Sequence, residues 1–516
     1  MNATFTGINI ASRGVYASQA AMSVITNNSS NANTKGYCRQ VVNQKTIGAA
    51  AVYGGRRILG NGPELTSVSQ LRDPRLDERY RQENTRLGAW DTKANALVEM
   101  ESVLNTATAG SGFDKVFGKF YDTLEDLNKS PGDSSKRKAV RENGRAMCQY
   151  LNESAQKLNG IRQDKNCAVK SIVDQINSYA QQIADLNSKI SQAAASGASI
   201  NELKDQRNVL IDKLSKLTDS SVTEMTGNPS PDGTENKKLA IRMNGITLVD
   251  GNEANKLEVT QGSDSNGMYN IRWQKTKDAF MPTSGQLKAE LDLRDGNGTN
   301  DSYQGVPYYI GQLNKFAQTF AKAFNEGILA GETAATKSYP GHAGSYLANG
   351  VTTGIRFFSY DKTSSADLKT DIAANGADSV YQKVTAANIS LSKDIEDDEK
   401  NIATASSAGG QDNAENIAKL VKLVKDSNMF NKGTPLDFYG SLVATLGTDS
   451  ATAQRLATNA NAMVKTINDR RLSVSGVEPN EETASMTLYQ AAYRANAKMV
   501  SVWNDIYART IDMVRI

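Results

Sequence analysis

The sequence predicts a mainly α-helical protein with an inserted β domain: a long coiled-coil or bundle core built from both chain ends, plus a small antiparallel β-rich outer domain. Two observations predict this fold class. Apolar residues recur at steps of three and four through most of the 516 residues, as in amphipathic helices. Between residues 221 and 285 the period changes to two, as in half-buried strands. A chain of this length exceeds one hydrophobic core, so more than one domain is expected.

Both ends of the chain predict amphipathic helices with wide apolar faces. In the first 25 residues, Ile8, Val15 and Met22 are seven apart, with Phe5 near the same face. The C-terminal segment repeats this spacing in two adjacent columns, which contain Met499, Trp503, Ile506 and Met513 in one and Tyr493, Val500 and Tyr507 in the other. Burying one such face does not clearly exceed the entropy cost of ordering the helix. Each end therefore needs a partner, which we expect to be the other end and then neighbouring subunits. The same spacing also suits two ordinary helices docked on their own domain.

The first long helix of the interior is predicted to start at Pro74, with Asp73 as its N-cap, because proline favours the first turn. Its apolar positions run from Leu76 to Leu104. A second seam, from Ile172 to Ile190, alternates steps of four and three and predicts bundle or coiled-coil packing. Shorter helices are predicted at residues 203–217, 313–328, 417–424 and 456–467.

The inserted β segment has the clearest turn signal in the chain. Leu239, Ile241 and Met243 alternate with polar residues, and Asn244–Gly245 follows as a hairpin turn that accepts positive φ. In contrast, residues 331–384 are rich in Gly, Ser, Thr and Ala with weak periodicity. We interpret them as an irregular, variable surface region.

Composition argues against several classes of function. The 59 basic and 56 acidic residues nearly balance, which disfavours a phosphate-tracking nucleic-acid surface. No apolar run approaches the ~20 residues of a membrane span, and the N-terminus lacks the basic and apolar regions of a cleavable signal peptide. The three cysteines are widely spaced and odd in number, so neither a disulfide framework nor a zinc site is indicated.

Candidate chemistry is sparse. His342 is the only histidine and is predicted to be a loop residue rather than a catalytic one. The segment 295–301 carries alternating oxygen ligands, but Val306 stands where a calcium loop would need its closing glutamate, so a polar loop is expected. The arginines at 72–86 alternate with acids and predict ion pairs. We predict no catalytic, metal or cofactor-binding residue, and no enzyme activity.

Both ends carry segments that together resemble one family. Residues 26–40, Thr-Asn-Asn-Ser-Ser-Asn-Ala-Asn-Thr-Lys-Gly-Tyr-Cys-Arg-Gln, resemble the N-terminal signature of the flagellar axial proteins, which are the rod, hook and hook-associated components. Residues 489–498 are similar to the C-terminal half of that signature. The segments 173–187, 205–210 and 284–288 resemble the hook-associated protein 1 subfamily. An asparagine-rich stretch that ends in Gly36 suits a helix end that must turn, with Gly36 at positive φ.

The resemblance implies assembly residues at both ends. Besides the apolar residues named above, these candidates are Asn27, Asn28, Asn31, Asn33, Gly36, Tyr37, Arg39, Tyr489 and Asn496. It also implies a discontinuous architecture. The expected parts are a terminal paired-helix domain (1–40 and 476–516), a helical bundle (41–220, 286–330 and 385–475), the β insertion (221–285) and the variable region (331–384).

The function implied by the resemblance is structural. Such a chain is expected to leave the cell unfolded through the flagellar export apparatus, without a cleavable signal peptide, helped by a dedicated chaperone on its C-terminal helix. It would then form an extracellular ring of identical subunits at the hook-filament junction, between hook protein and a second junction protein. The alternatives are another axial structural protein, such as hook or flagellin, and an extracellular enzyme domain carried on an axial scaffold.

Overall fold

The protein is described by a computed structural model over residues 6–47, 50–52, 57–104, 112–229, 235–262, 267–347, 354–407, 412–431 and 433–514. Helices dominate these ranges. They are α1 (Thr6–Ser30), α2 (Pro74–Leu104), α3 (Phe113–Lys129), α4 (Ser134–Ala195), α5 (Asn201–Leu217), α6 (Gly285–Asp295), α7 (Val306–Glu326), α8 (Ser365–Asn375), α9 (Ala377–Tyr381), α10 (Lys393–Asp397), α11 (Glu415–Val424), α12 (Pro435–Ser475) and α13 (Pro479–Val514).

The strands form small antiparallel sheets. They are β1 (Gln40–Thr46), β2 (Ala50–Val52), β3 (Arg57–Leu59), β4 (Pro63–Gln70), β5 (Ser221–Pro229), β6 (Glu235–Met243), β7 (Ile246–Asp250), β8 (Glu253–Ala254), β9 (Leu257–Gln261), β10 (Tyr269–Trp273), β11 (Phe358–Tyr360) and β12 (Ile389–Leu391). The β5-β6-β7-β8 sheet and the β9-β10 pair lie in the predicted insertion. The predicted fold class, mainly helical with an inserted antiparallel β domain, is confirmed.

We call the part of the chain between α1 and α13 the body, and helix α4 runs through it. The 62 residues of α4 would extend about 93 Å at 1.5 Å per residue. The N-terminal half of α4 packs with α2, α3, α7, α11 and α12 around a core in which many phenylalanines are buried, which we call the phenylalanine core. The C-terminal half joins a second core with α5, α6 and strands β6, β7, β9 and β10. The seam from Ile172 to Ile190 therefore packs mainly on strands and α5 rather than in a coiled coil.

Local sequence signals explain several element boundaries. Asp73 accepts a hydrogen bond from the Arg75 backbone N–H at 2.9 Å, which confirms the predicted N-cap. The predicted hairpin turn joins β6 to β7, with φ of 46° at Asn244 and 82° at Gly245. The predicted helix at 456–467 is only the middle of α12, which begins with a capping box between Thr434 and Asp437.

Strands β1 and β4 differ from the prediction, which placed residues 41–70 in the helical bundle. They form a two-stranded ribbon that packs along α1. At its far end, the Arg13 guanidinium donates to the Asn61 carbonyl at 3.4 Å, and Gly62 packs against Ile10. The ribbon was missed because most of its residues are polar or exposed and its stability comes from contact with α1.

Residues 331–384 also differ from the irregular surface that we predicted. Phe357 and Phe358 are fully buried in the phenylalanine core, and Phe358 begins β11. His342 lies in a turn, as predicted, but it is fully buried: Nδ1 is 2.8 Å from the Ile355 carbonyl and Nε2 accepts from the Ala403 N–H at 2.9 Å. The described part of this segment thus contributes to the phenylalanine core. The division of the whole chain into four parts stays a prediction.

Candidate functional site

Helices α1 and α13 bring the two chain ends together as an antiparallel pair. A Cβ built on Gly7 would lie 2.2 Å from Trp503 Cε2, and one built on Gly14 would lie 2.6 Å from Asn496 Cγ. At the other end of α1, the Asn28 amide reaches the Glu482 carboxylate. Because residue numbers rise on one helix as they fall on the other, the helices run in opposite directions.

The face of α1 that meets α13 is built largely from small residues. We call it the small-residue column; it consists of Gly7, Ala11, Gly14, Ser18, Ala21, Ile25 and Asn28. Steps of four and three keep these residues on one side of the helix. Small side chains let the two backbones approach closely, so that Trp503 and Asn496 fit against glycine. The predicted face, Ile8, Val15 and Met22, is one position away from this column and is half-buried.

The predicted C-terminal residues fall into two groups. Tyr489, Asn496, Val500, Trp503 and Tyr507 are half-buried on the side that faces α1. The other group is exposed: Met499, Ile506 and Met513 lie on one stripe of α13 together with Leu488 and Val502, which were not predicted. We call these five residues the exposed face of α13; their relative exposures run from 39% to 76%. Tyr493 and Ile511 are also exposed, at 36% and 58%, but they lie about 140° further round the helix. Predicted residue Phe5 lies outside the described residues.

The Asn28 side chain connects the α1–α13 pair to the body. Its side chain is 1% exposed. The Oδ1 atom accepts from the Tyr37 hydroxyl at 2.9 Å and from the Gln40 N–H at 3.0 Å. The Nδ2 atom donates to the Gln40 carbonyl at 2.9 Å and to Glu482 Oε2 at 3.1 Å. Burial raises the pKa of Tyr37 to about 12, so its hydroxyl keeps the proton it donates.

Arg39 ties the same connection to the start of α13. Its Nε atom is 2.7 Å from Glu482 Oε1, and its Nη1 atom is 2.7 Å from Glu481 Oε2. The Arg39 backbone N–H donates to the Ser475 carbonyl at 2.8 Å. Two carboxylates in the first turn of a helix also suit its dipole. We call Asn28, Arg39 and Glu482 the latch.

The asparagine-rich turn rests on α5. Gly36 has the predicted positive φ, 86°, and a Cβ there would lie 2.2 Å from Val209 Cγ2. The Cys38 N–H donates to Asp205 Oδ2 at 3.1 Å. Asn31 donates to the Asn27 side chain at 2.9 Å, whereas Asn33 is exposed. A glycine is needed at this turn both for its dihedral angle and for the approach of α5.

Beside the latch, Arg471 near the end of α12 bridges two other helices. Its Nε atom is 2.9 Å from Asp77 Oδ1 on α2, and its Nη2 atom is 2.9 Å from Asp212 Oδ2 on α5. Arg81 pairs with the other Asp212 oxygen at 2.9 Å. The arginines of α2 thus form ion pairs between helices of one chain as well as within α2.

The small-residue column, Glu482 and Arg471 were not identified from the sequence. The signal for the column was present, because its members keep heptad spacing, but the prediction rested on large apolar residues. No single-sequence pattern pairs Asn28 with Glu482, since 454 positions separate them.

The candidate metal chemistry was compared with the described part of the chain. It contains no group of three or more His, Cys, Asp or Glu side chains that could hold a metal ion. In the 295–301 loop, the Asn297 side chain instead accepts from Thr299 and Ser302, and Asp295 pairs with Arg294. None of the described helices is long and apolar enough to cross a membrane.

Comparison with known families gives two matches. The model for the flagellar hook-associated protein FlgK helical domain matches residues 97–338. The model for the flagellar basal body rod FlgEFG protein C-terminal region matches residues 468–513, which cover the end of α12 and nearly all of α13.

Two relatives are similar over almost their whole length. Flagellar hook-associated protein 1 of Bacillus subtilis (strain 168) is 29% identical over 540 aligned positions, which cover 99% of each chain. The protein of the same name from Escherichia coli (strain K12) is 26% identical, over 98% of this chain and 99% of that one. Among solved structures, the flagellar hook junction protein FlgK from Burkholderia pseudomallei has a similar fold. Its TM-score is 0.56 at 16% identity, over 77% of this chain and all of that one.

Proposed function

Because the chain belongs to the family of flagellar hook-associated protein 1, we propose that it is a structural adaptor of the bacterial flagellum that forms the ring between hook and filament. In this proposal, the α1–α13 pairs of neighbouring subunits pack coaxially to build the inner part of a cylinder, and the body of each subunit lies outside. The hook protein and a second junction protein are the neighbours on the two sides.

The observation that carries this proposal is the exposed face of α13. Its five large apolar side chains lie on one stripe of the helix and are at least 39% exposed in a single chain, and Met513 is 76% exposed. Soluble monomers rarely expose contiguous apolar surface of this kind unless it binds a partner. Since α13 packs on α1 through a different side, about a quarter turn away, the exposed face is free for neighbouring subunits.

Two charge substitutions on this face would test the proposal in the flagellum. We expect Met499→Asp and Ile506→Asp to leave hooks in place but to prevent filament attachment, so that flagellin is secreted into the medium. Asn504→Asp is the matched control, because Asn504 is polar and exposed on the same helix. Normal filaments on cells that carry Ile506→Asp would refute a packing role for the exposed face.

Location at the junction needs its own measurement. Gold-labelled antibody against the protein should mark a single band at the base of the filament. Label spread along the filament would indicate a flagellin-like role, and label along the hook would indicate a hook-like role. Deletion of the gene separates the junction role from the hook role. Cells that keep bare hooks and release flagellin would support the junction role.

We propose further that both ends remain mobile in the exported monomer and become ordered on assembly. Before export, a chaperone binds α13. Support comes from the packing of α13, which lies chiefly against α1 rather than the body. Limited proteolysis of the purified monomer should remove both ends and leave the body intact. Equal resistance of the ends and the body would exclude ordering on assembly.

A further inference from the structure

The contacts between α1 and α13 repeat at the same interval on both helices. Gly7 faces Trp503, Gly14 faces Asn496 and Asn28 faces Glu482. Each pair therefore lies seven, or twice seven, residues from the next on α1 and on α13 alike. A seam with a heptad repeat on both sides can be shifted by one heptad, about 10.5 Å along the axis, and still bring seam positions together.

Side-chain size alone does not distinguish these registers. If α13 moved one heptad away from the body, Tyr489 would face Gly14 and Asn496 would face Gly7. If it moved one heptad toward the body, Trp503 would face Gly14 and Asn496 would face Ala21. In both cases the large side chains again meet small ones.

The polar contacts at the latch occur in only one register. Asn28 is 1% exposed and the Glu482 side chain is 2% exposed, and Asn28 Nδ2 donates to Glu482 Oε2 at 3.1 Å. A shift by one heptad would place Asn28 opposite Tyr489, or would move Glu482 to Ala21. Either shift leaves a buried amide or a buried carboxylate without its partner, which is costly. A single buried polar contact is known to fix register in coiled coils for this reason.

We propose that Asn28 and Glu482, supported by Arg39, are positioning residues that set the register of the terminal helix pair. They select one of several sterically permitted alignments of α13 on α1. The inference rests on contacts within one chain and does not need a ring, because mobile ends still pair and separate in the monomer and the latch favours one alignment of the paired state. It goes beyond the proposed function, because it identifies what fixes the length and alignment of the paired ends.

Cysteine cross-linking of the full-length chain can read the register directly. Asn496→Cys would be combined in turn with Gly7→Cys, Gly14→Cys or Ala21→Cys, in a Cys167→Ser background because Cys167 is the exposed native thiol. In that order, these pairs report the register in which α13 is shifted one heptad away from the body, the native register, and the register shifted one heptad toward the body. All three chains would also carry Trp503→Ala, because a Cβ on Gly7 would lie 2.2 Å from Trp503 and would by itself displace α13 from the native register. With the latch intact, we expect the 14–496 disulfide to form at least about ten-fold faster than the other two. Glu482→Ala should raise the 7–496 or 21–496 disulfide about ten-fold relative to 14–496.

Two further variants make this test specific. Glu481→Ala removes the same charge one position earlier, where the side chain is 62% exposed and does not contact Asn28, and should keep the native pattern. Glu482→Gln retains an oxygen that can accept from Asn28 and should also keep it. If Glu482→Ala reduces helix content, Glu482→Leu fills the same space without the hydrogen bond and should show the shift. An unchanged pattern in Glu482→Leu, or no preference among the three disulfides with the latch intact, would overturn the proposal.

Discussion

At the scale of single residues, His342 shows how the environment decides the role of a side chain. It is the only histidine in the chain and would be the first candidate for acid-base chemistry. Full burial between Phe324 and Phe357 lowers its pKa to about 4 from the usual 6.5. The neutral ring uses both nitrogens for backbone hydrogen bonds, so His342 joins two loops of the body core.

This burial predicts a pH-dependent stability. Between pH 6.5 and 4 the unfolded chain binds a proton at His342 that the folded chain does not, so stability falls as pH falls through this window. The loss should be about 2 kcal/mol at pH 5 relative to pH 7.5. Urea unfolding of wild type and His342→Gln at both pH values would measure it. The variant should be less stable at pH 7.5 but should lack this component of the acid loss, and an equal acid loss in both chains would contradict the assignment.

At the scale of elements, α4 uses a row of asparagines to hold the inserted β domain. Asn166, Asn177 and Asn187 each hydrogen-bond to backbone atoms of residues 251–269. Asn177 does so twice, since it donates to the Leu257 carbonyl and accepts from the Leu257 N–H, both at 2.8 Å. The Asn177 amide thus makes the pair of backbone hydrogen bonds that a neighbouring strand would otherwise make at the start of β9.

Asn177→Ala should therefore loosen β9 and β10 while leaving the helices intact. The change leaves the N–H and carbonyl of Leu257 without partners, at a cost of about 2–4 kcal/mol. Hydrogen exchange of residues 257–273 would detect it as faster exchange in these strands. Gln181→Ala, on the same helix but exposed, removes only a contact with Asp185 and should leave their exchange unchanged. Equal protection of β9 in both variants would show that the asparagine contacts add nothing.

At the scale of the whole molecule, sequence reasoning succeeded where the signal was local and missed contacts between distant segments. The turn at Gly36 and the hairpin at Asn244 follow from residue types that accept positive φ. The burial of Phe357 depends on elements far away in the chain, which residue patterns do not encode. The ribbon of β1 and β4 depends on packing against α1, which its mostly polar residues do not indicate. The terminal faces were predicted as apolar, but only the structure separates the side that packs on α1 from the side left exposed.

The connection between body and terminal helices also depends on such distant contacts, and Arg471 is the residue that joins most of them. Besides pairing with Asp77 and Asp212, its guanidinium lies 4.3 Å from the centre of the Tyr80 ring. Arg471→Met should destabilise this region by about 1–3 kcal/mol. Both aspartates keep another arginine, which limits the loss.

The expected consequence is faster trypsin cleavage at Lys35 and Arg470, next to the two crossings between helix pair and body, while the phenylalanine core stays protected. Arg471→Lys keeps the charge but cannot reach both acids with a planar fork, so it should resemble the methionine variant. Arg455→Met, at an exposed site on α12, is the matched control and should be cleaved like wild type. Wild-type cleavage rates in Arg471→Lys would mean that charge alone, and not the bridge between α2 and α5, holds the body to its terminal helices.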